Sequence, residues 1–314
     1  MFNNVTILWF SSDLYTAAVR HTPVLLRESL EALAPTPGMS VCDVTLGLAG
    51  HASAFLQATD PDGILIGIDA DERNLDAAAE KLQPYDGRVR YCHANFRDLS
   101  SCVDAPVDIL FADLGVSSPH FDDPDRGFSF RFDAPLDLRF DQSRGVDAAS
   151  WIARAKEQEL TKAFAVYGEL PSARRLAVMV SEQKPTTTTA LKACVEAVYR
   201  WRAPSMLPRV FQAIRIAVND ELGALDALLH SIPHILKPGG RCGIISYHSL
   251  EDRMVKRAFR SLCMVEKDER TGQPLSAPLF AVVNTKPIIP GPSEVSENPR
   301  SRSAKLRVLR RAEA

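Results

Sequence analysis

The sequence predicts an α/β fold: a mostly parallel sheet covered on both faces by helices and interrupted by a mainly helical insert. Three observations predict it. Strand-like and helix-like segments alternate over the first third of the chain, the order that builds a parallel sheet. A long stretch of helical character follows. A strand-then-helix pattern returns near residue 236.

The elements read in order as follows. Ser40 to Thr45 is a short apolar strand, and a helix is expected from Ala49 to Gln57. Gly63 to Asp69 is a nearly unbroken apolar run, the pattern of a buried strand. Asp71 to Leu82 places Leu75, Ala78, Ala79 and Leu82 on one helix face. Arg88 to His93 and Val107 to Asp113 are the third and fourth strands. Pro119 to Asp147 is rich in Asp, Pro, Arg, Phe and Gly and has no period. Ala148 to Ala203 is mostly helical. The Thr186 to Thr189 run is either a strained turn or a cap for a helix starting near Ala190. One long amphipathic helix is expected after Pro208, from Val210 to His230. Leu236 to Gly240 reads as a turn and Arg241 to Ser246 as a strand. Ser249 starts a helix, with Asp252 at capping-box spacing. Lys305 to Leu309 is the last strand. The organisation expected is an extension over residues 1–20, a main domain over 21–121 and 211–314, and the helical insert over 122–210.

The 314 residues are 46% hydrophobic, enough to bury a sizeable core. No run of about 18 apolar residues occurs, so no membrane span is expected. No positive charge precedes the apolar patch Val5 to Phe10, which argues against a signal peptide. A disordered or loosely docked extension of a cytoplasmic protein is the expectation there. Cys42, Cys92, Cys102, Cys194, Cys242 and Cys263 show no C-x-x-C spacing. Buried free thiols in a reducing compartment are expected, and no metal site. Net charge is -2, but residues 1–120 hold 7 Lys and Arg against 16 Asp and Glu, while residues 121–314 hold 30 against 23. An acidic first part and a basic later part fit a cofactor half and a polyanion-facing half. Ordinary solvated surface is the alternative.

Asp43 to His51 (D-V-T-L-G-L-A-G-H) follows the first strand and opens a helix. Small residues there let the backbone approach a ligand, and the helix start presents free N–H groups. Asp69 ends the second strand, where a carboxylate can accept ribose hydroxyls. Asp113 ends the fourth strand over the same edge, and open α/β sheets bind ligands at that edge. The G-x-x-G alone fits NAD, a nucleotide or a plain tight turn. The dinucleotide pattern G-x-G-x-x-G is absent, and so is the P-loop, which argues against an NTPase.

D-V-T-L-G-L-A-G-H resembles the cofactor loop of the RsmH (MraW) family of 16S ribosomal RNA cytosine-N4 methyltransferases. Asp113 to Arg139, Phe211 to Leu222, Ile244 to Arg257 and Asn298 to Arg307 resemble further blocks of that family, and His21 to Leu26 resembles its usual start. The similarity runs from about His21 to Arg310 in family order. The resemblance implies a Rossmann-like class I methyltransferase sheet carrying an inserted, mainly helical second domain. It implies S-adenosyl-L-methionine as cofactor. It also implies N4-methylation of a cytidine near the decoding region of small-subunit ribosomal RNA. It allows a homodimer among its assemblies and implies no membrane partner. By the same resemblance, Ala49, Gly50 and His51 line the methionine end of the cofactor and Asp69 holds its ribose. Phe96 packs near the adenine, and Asp113 and His120 complete the pocket. Three positions depart from the family: Ala49 stands where Gly is usual, Ala52 where Ser or Thr is usual, and His120 where Gln is common. The Ala49 methyl is tolerated if its φ is negative.

Cytosine N4 is a poor nucleophile because its lone pair is delocalised, so positioning and an acceptor for an N4–H are the chemical needs. D-L-G-V-S-S-P-H stands where many amino-methyltransferases carry a D/N/S-P-P-Y/F motif, so that role does not simply carry over. Asp113, Ser117 and Ser118 are the candidate acceptors. RNA is read through splayed, stacked bases. Arg126, Arg131 and Arg139, with Arg174, Arg175, Arg200, Arg202 and Arg209 of the insert, are the candidate RNA contacts. Phe128, Phe130 and Phe132 either join them or seal the insert against the main domain. His248 to Arg253 either touches substrate or caps a helix with a buried ion pair. Two other readings stand beside this one. One is a non-catalytic RNA-binding or ribosome-assembly factor that keeps the cofactor fold. The other is a methyltransferase acting on another substrate.

Overall fold

The computed structural model describes residues 23–117, 120 and 123–313. Its centre is a seven-stranded sheet in the order β3-β2-β1-β4-β5-β7-β6. The strands are β1 Ser40–Asp43, β2 Ile64–Asp69, β3 Val89–His93, β4 Val107–Asp113, β5 Leu236–Ser246, β6 Phe280–Val282 and β7 Lys305–Arg311. Strands β1 to β5 pair in parallel, and β7 runs antiparallel between β5 and β6. Because β1, β2 and β4 are parallel, their last residues Asp43, Asp69 and Asp113 come out at one edge. Val41, Cys42, Leu65, Ile68, Ile109 and Leu110 are buried, as befits strands covered on both faces.

Helix α1, Leu26–Leu33, was not anticipated; it packs Leu33 and Leu25 into the core beside Val41 and Leu306. Helix α2, Gly50–Ala58, and helix α3, Glu72–Leu82, follow β1 and β2. Helix α3 buries Leu75, Ala78 and Leu82 of the face its spacing predicts, with Asn74 in place of Ala79, which is exposed, and Asp71 caps it by accepting from the Arg73 N–H.

The insert has its own hydrophobic cluster. Helices α4 Ala148–Arg154, α5 Glu157–Lys162, α6 Ala173–Gln183 and α7 Thr188–Tyr199 enclose it with α8 Ala203–Asn219. Phe164, Leu176, Val180, Leu191, Val195 and Ile214 are fully buried there, each worth roughly 1.5–3 kcal/mol against exposure. Thr187 caps α7 by accepting from the Ala190 N–H, so the Thr run is a cap. The cluster reaches Phe211, Ala213 and Ile214, so α8 carries the insert past residue 210.

Several expectations are corrected. The helix expected from Val210 to His230 is two helices, α8 and α9 Glu221–Ile235. They break at Asp220, whose φ is 47°. Asn219 holds the break, donating to the carbonyls of Leu138 and Arg215 and accepting from the Phe140 N–H. Leu236 to Gly240 is no turn between elements. It is a bulge within β5, where the register against β4 shifts between Val107 and Ile109. Helix α10, Ser249–Leu262, is capped by His248 with Glu251 rather than by Ser249 with Asp252. Asp252 pairs instead with Lys305 and Arg307 of β7. Cys92 and Cys102 form a disulfide between β3 and the turn after it, against the expectation of free thiols; Cys42, Cys194, Cys242 and Cys263 are free. No helix among the described residues is long and apolar enough to cross a membrane. Residues 1–20 and Ser118 lie outside the described residues.

Candidate active site

Three carboxylates meet at the carboxyl edge of the sheet. Asp43 is 1% exposed and accepts from the N–H and hydroxyl of Thr45. Burial, with Asp69 nearby, pushes its carboxyl up to about 7. Asp113 accepts from the Tyr247 hydroxyl at 2.8 Å. Burial again pushes it up to about 7, with Asp43 and Glu251 adding to the rise. Asp69 is likewise raised by burial, although three donors hold it. Its Oδ2 accepts from the Gly47 N–H at 2.7 Å, and its Oδ1 from the Asp71 N–H at 2.8 Å and Asn74 Nδ2 at 3.2 Å. An ionised carboxylate offers about four acceptor sites, so Asp69 keeps room for one more donor.

The turn between β1 and α2 is shaped by its small residues. Gly47 has a φ of 51° and aims its N–H at Asp69. Ala49 is the residue before α2 and has a φ of 54°. The negative φ that would have excused its methyl is therefore not found. Gly50 must be bare because a Cβ there would lie 2.3 Å from Pro23 Cγ. His51 is turned inward: its Nε2 meets the Val24 carbonyl at 3.0 Å, its ring packs on Phe111, and its Nδ1 lies 3.9 Å from Asp113 Oδ2. Phe96 follows β3 and packs, half-buried, on the core.

A second group adjoins Asp69. His120 is buried against Phe128 and Phe140. The Ser117 N–H donates to His120 Nδ1 at 3.1 Å, so that nitrogen carries a lone pair; Ser117 Oγ, 2.7 Å away, must then donate to it as well. His120 Nε2 lies 3.3 Å from Asp71 Oδ2, and Arg126 meets the same oxygen at 2.6 Å. Burial alone would raise the Asp71 carboxyl, but His120 and Arg126 outweigh it and hold it well below the usual carboxylate range.

Arg126 was expected to face RNA, and the structure corrects this. It is 3% exposed, paired with Asp71 and bound to the carbonyls of Arg139 and Phe140. Arg139 chelates Asp137, and Arg209 is spent on the carbonyls of Gly168 and Glu169. Arg131, Arg175, Arg200 and Arg202 are exposed, and Arg174 forms a surface pair with Glu157. Phe128 and Phe130 pack in the insert core, whereas Phe132 is exposed.

Sequence reasoning missed Tyr247, Asp71, Asn74 and Thr45. Tyr247 lies inside the block Ile244 to Arg257, but nothing in that block gives it a role, and only the sheet brings it to Asp113. Ligand atoms of Glu221, His248 and Glu251 also converge within 4.8 Å. Glu221 is held by Arg215 in two hydrogen bonds, and Glu251 accepts from the backbone N–H groups of Tyr247 and His248 and lies 3.0 Å from His248 Nε2, so donors of the fold already occupy that cluster. A hollow of about 420 Å³ opens beside Ser40, Arg88 and Lys237, at the opposite edge of the sheet from the three acids.

A profile of the MraW methylase family matches residues 18–312. A Symbiobacterium thermophilum protein named ribosomal RNA small subunit methyltransferase H is 42% identical over 312 residues, covering 95% of this chain and 98% of its own length. A Citrifermentans bemidjiense protein of the same name is 43% identical over 305 residues, covering 92% of this chain and 97% of its own. Among solved structures, TrmN from Thermus thermophilus is similar at a TM-score of 0.44 and 15% identity, over 94% of this chain and 51% of that one; that likeness is too slight to carry an argument. The family profile and the relatives span nearly the whole chain, and the chain belongs to the MraW methylase family.

Proposed function

We propose that this chain is an S-adenosylmethionine-dependent methyltransferase that methylates N4 of a cytidine in small-subunit ribosomal RNA, near the decoding region. The observation that carries the reading is the trio of carboxylates, buried Asp43 and Asp69 and half-buried Asp113, on the rim of an MraW-family sheet. Burial and the neighbouring acids push two of them up to about 7. S-adenosylmethionine brings a sulfonium, an ammonium and a ribose, and so fits a rim of this chemistry. Asp69 has capacity for a ribose hydroxyl, though for one rather than two, given the three bonds it already accepts. Gly47 to His51 frame the methionine end, and Phe96 lies on the adenine side.

Bound there, S-adenosylmethionine supplies an electrophilic methyl group. The chain supplies alignment and an acceptor. Ser117 stands at the exit of β4, and its hydroxyl hydrogen is committed to His120, so its lone pairs are left to accept an N4–H. Asp71 keeps His120 in register from the far side. Asp113, held by Tyr247, serves the cofactor. The insert supplies the RNA-facing side, and the protein works in the cytoplasm; sedimentation decides between a monomer and a homodimer. The substrate class rests on the names of the relatives.

The test is methyl transfer to small ribosomal subunits, free ribosomal RNA and total protein from a strain lacking the gene, read by mass spectrometry of nucleosides, with sedimentation for the dimer. N4-methylcytidine at one position of the small-subunit RNA is expected. Label in protein, in another base, or no calorimetric binding of S-adenosylmethionine sinks the reading.

A further inference from the structure

We infer that a single-stranded nucleotide of the RNA substrate stacks on Trp201, with its flanking phosphates held by Arg200, Arg202 and Arg175. The inference rests on the RNA methyltransferase reading and deepens it by giving the substrate a docking point away from the reacting base.

Trp201 is 85% exposed, the most exposed of the large hydrophobic side chains among the described residues. Indoles are large apolar surfaces that folding ordinarily covers. This one is held out by a short 3-10 turn, Arg200–Arg202, between α7 and α8. Arg200 enters that turn with a φ of 51°, a backbone state that L side chains seldom adopt. Arg202 places its guanidinium 5.9 Å from the indole centroid, within the range of a cation–π contact. An aromatic face with arginines on both sides in sequence is the chemistry that binds unpaired nucleotides: the ring takes the base, the guanidinium groups take the phosphates. Arg175, Arg200 and Arg202 are exposed and have no acidic partner among the described residues, so their charge is available to a polyanion.

The turn is also tied to the catalytic edge. Tyr199, two residues before Trp201, donates its hydroxyl to the Pro171 carbonyl at 2.7 Å. Pro171 leads into α6, whose first turn carries Arg174 and Arg175. Glu169, in the same loop, accepts from Ser249 Oγ at 3.1 Å and lies 3.7 Å from Arg253. Ser249 opens α10 just beyond the carboxyl end of β5. A strand of RNA with one base at the rim thus has a fixed route outward over the 168–171 loop to the indole.

The experiment compares wild-type protein, Trp201→Ala, Trp201→Phe and Arg202→Gln. A labelled single-stranded fragment of small-subunit RNA and intact small subunits are titrated at several salt concentrations. Trp201→Ala is expected to weaken RNA binding roughly five- to a hundredfold, the range for loss of one base–aromatic stack, and to raise KM for RNA. Trp201→Phe is expected to recover most of that loss. Calorimetric affinity for S-adenosylmethionine and the melting temperature stay as in wild type. The salt slope separates the two contributions. Trp201→Ala leaves it unchanged, whereas Arg202→Gln lowers it by roughly 0.7, the share of one phosphate on a single strand. Binding by Trp201→Ala within twofold of wild type overturns the inference. So does a Trp201→Ala variant that splits a dimer and leaves RNA binding intact, because the indole would then serve a second copy of the chain. Wild-type protein that binds no ribosomal RNA overturns the functional reading and this one together.

Discussion

The rim of the sheet and the outer end of the insert treat charge in opposite ways. At the rim, Asp43 and Asp69 are buried and Asp113 half-buried; the three are crowded and short of cations, and loss of water drives their carboxyls upward. In the insert, Arg200 and Arg202 stand in solvent beside an exposed indole, and Arg175 is exposed on α6. A small cationic ligand suits the first and a long flexible anion the second. Beside the rim the two signs are already matched, in the buried group of Asp71, His120 and Arg126, as they are in the Arg215–Glu221 pair. The lesson is that a buried charge without a partner marks a ligand's seat, whereas a buried charge with one marks structure. Arg126 shows how a basic residue in a promising loop can belong to the second kind.

The largest effect should come from that matched group. Arg126→Met leaves Asp71 buried with only His120 beside it. Removing one partner of a buried pair costs about 3–5 kcal/mol, so chemical denaturation should show a loss at the lower end of that range. A loss under 1 kcal/mol would mean that His120 alone satisfies Asp71, and the contrast between matched and unmatched acids would fade.

Asp113→Asn keeps an acceptor for Tyr247 and removes the charge. S-adenosylmethionine should bind about a hundredfold more weakly in calorimetry, about 2.7 kcal/mol. At saturating cofactor the single-turnover rate should stay within a few-fold of wild type, because Ser117 is the acceptor for the N4–H. A collapse of that rate at saturation would transfer the acceptor role to Asp113.

The third test is pH. The folded carboxyls of Asp43 and Asp113 lie near 7 against an ordinary value of 3.8. Between those values the folded chain holds more protons than the unfolded one, so these two groups favour folding more as pH falls from 8 toward 5. The lowered carboxyls of Asp71, Asp108 and Asp252 act the other way, and their contribution is lost only at more acid pH. A cationic ligand needs the rim ionised. Cofactor affinity should therefore be about tenfold weaker at pH 6 than at pH 8, while the ligand-free protein melts higher near pH 5.5 than at pH 8. A pH-independent affinity would show that the rim acids are ionised before the ligand arrives.

How much of this was legible in the sequence follows from the range of the interactions. Strands β1, β2 and β4 and the Leu75, Ala78 and Leu82 face of α3 were readable because apolar runs and helical spacing are local signals. Asp69 and Asp113 were readable because a strand's last residue falls at the sheet's edge. Tyr247 was not, because its bond to Asp113 spans 134 positions. The break at Asp220 was hidden for the same reason: an apolar stripe continues across it, and only Asn219 reaching back to Leu138 and Phe140 reveals it. Arg126 and Arg202 look alike in sequence, and only burial tells them apart. The Cys92–Cys102 link joins residues whose spacing matches no motif.

The smallest predicted effect concerns Ala49, where two opposed costs nearly cancel. Its φ of 54° and ψ of 35° put an L side chain in the left-handed region, at roughly 1–2 kcal/mol. Its methyl is fully buried, which returns roughly 0.8 kcal/mol. Ala49→Gly gives up the burial and relieves the strain, and the freer unfolded chain takes back a few tenths more. The net should be a gain near or below about 0.5 kcal/mol, a rise of roughly 1 °C in melting temperature for a chain of this size. Cofactor affinity should stay within twofold, since the Gly47 N–H that serves Asp69 does not depend on the Ala49 methyl. A loss of more than about 1 kcal/mol would mean that the buried methyl outweighs the strained backbone. The turn would then be held by packing in the same way as the matched acids beside it, and would no longer belong with the unsatisfied rim.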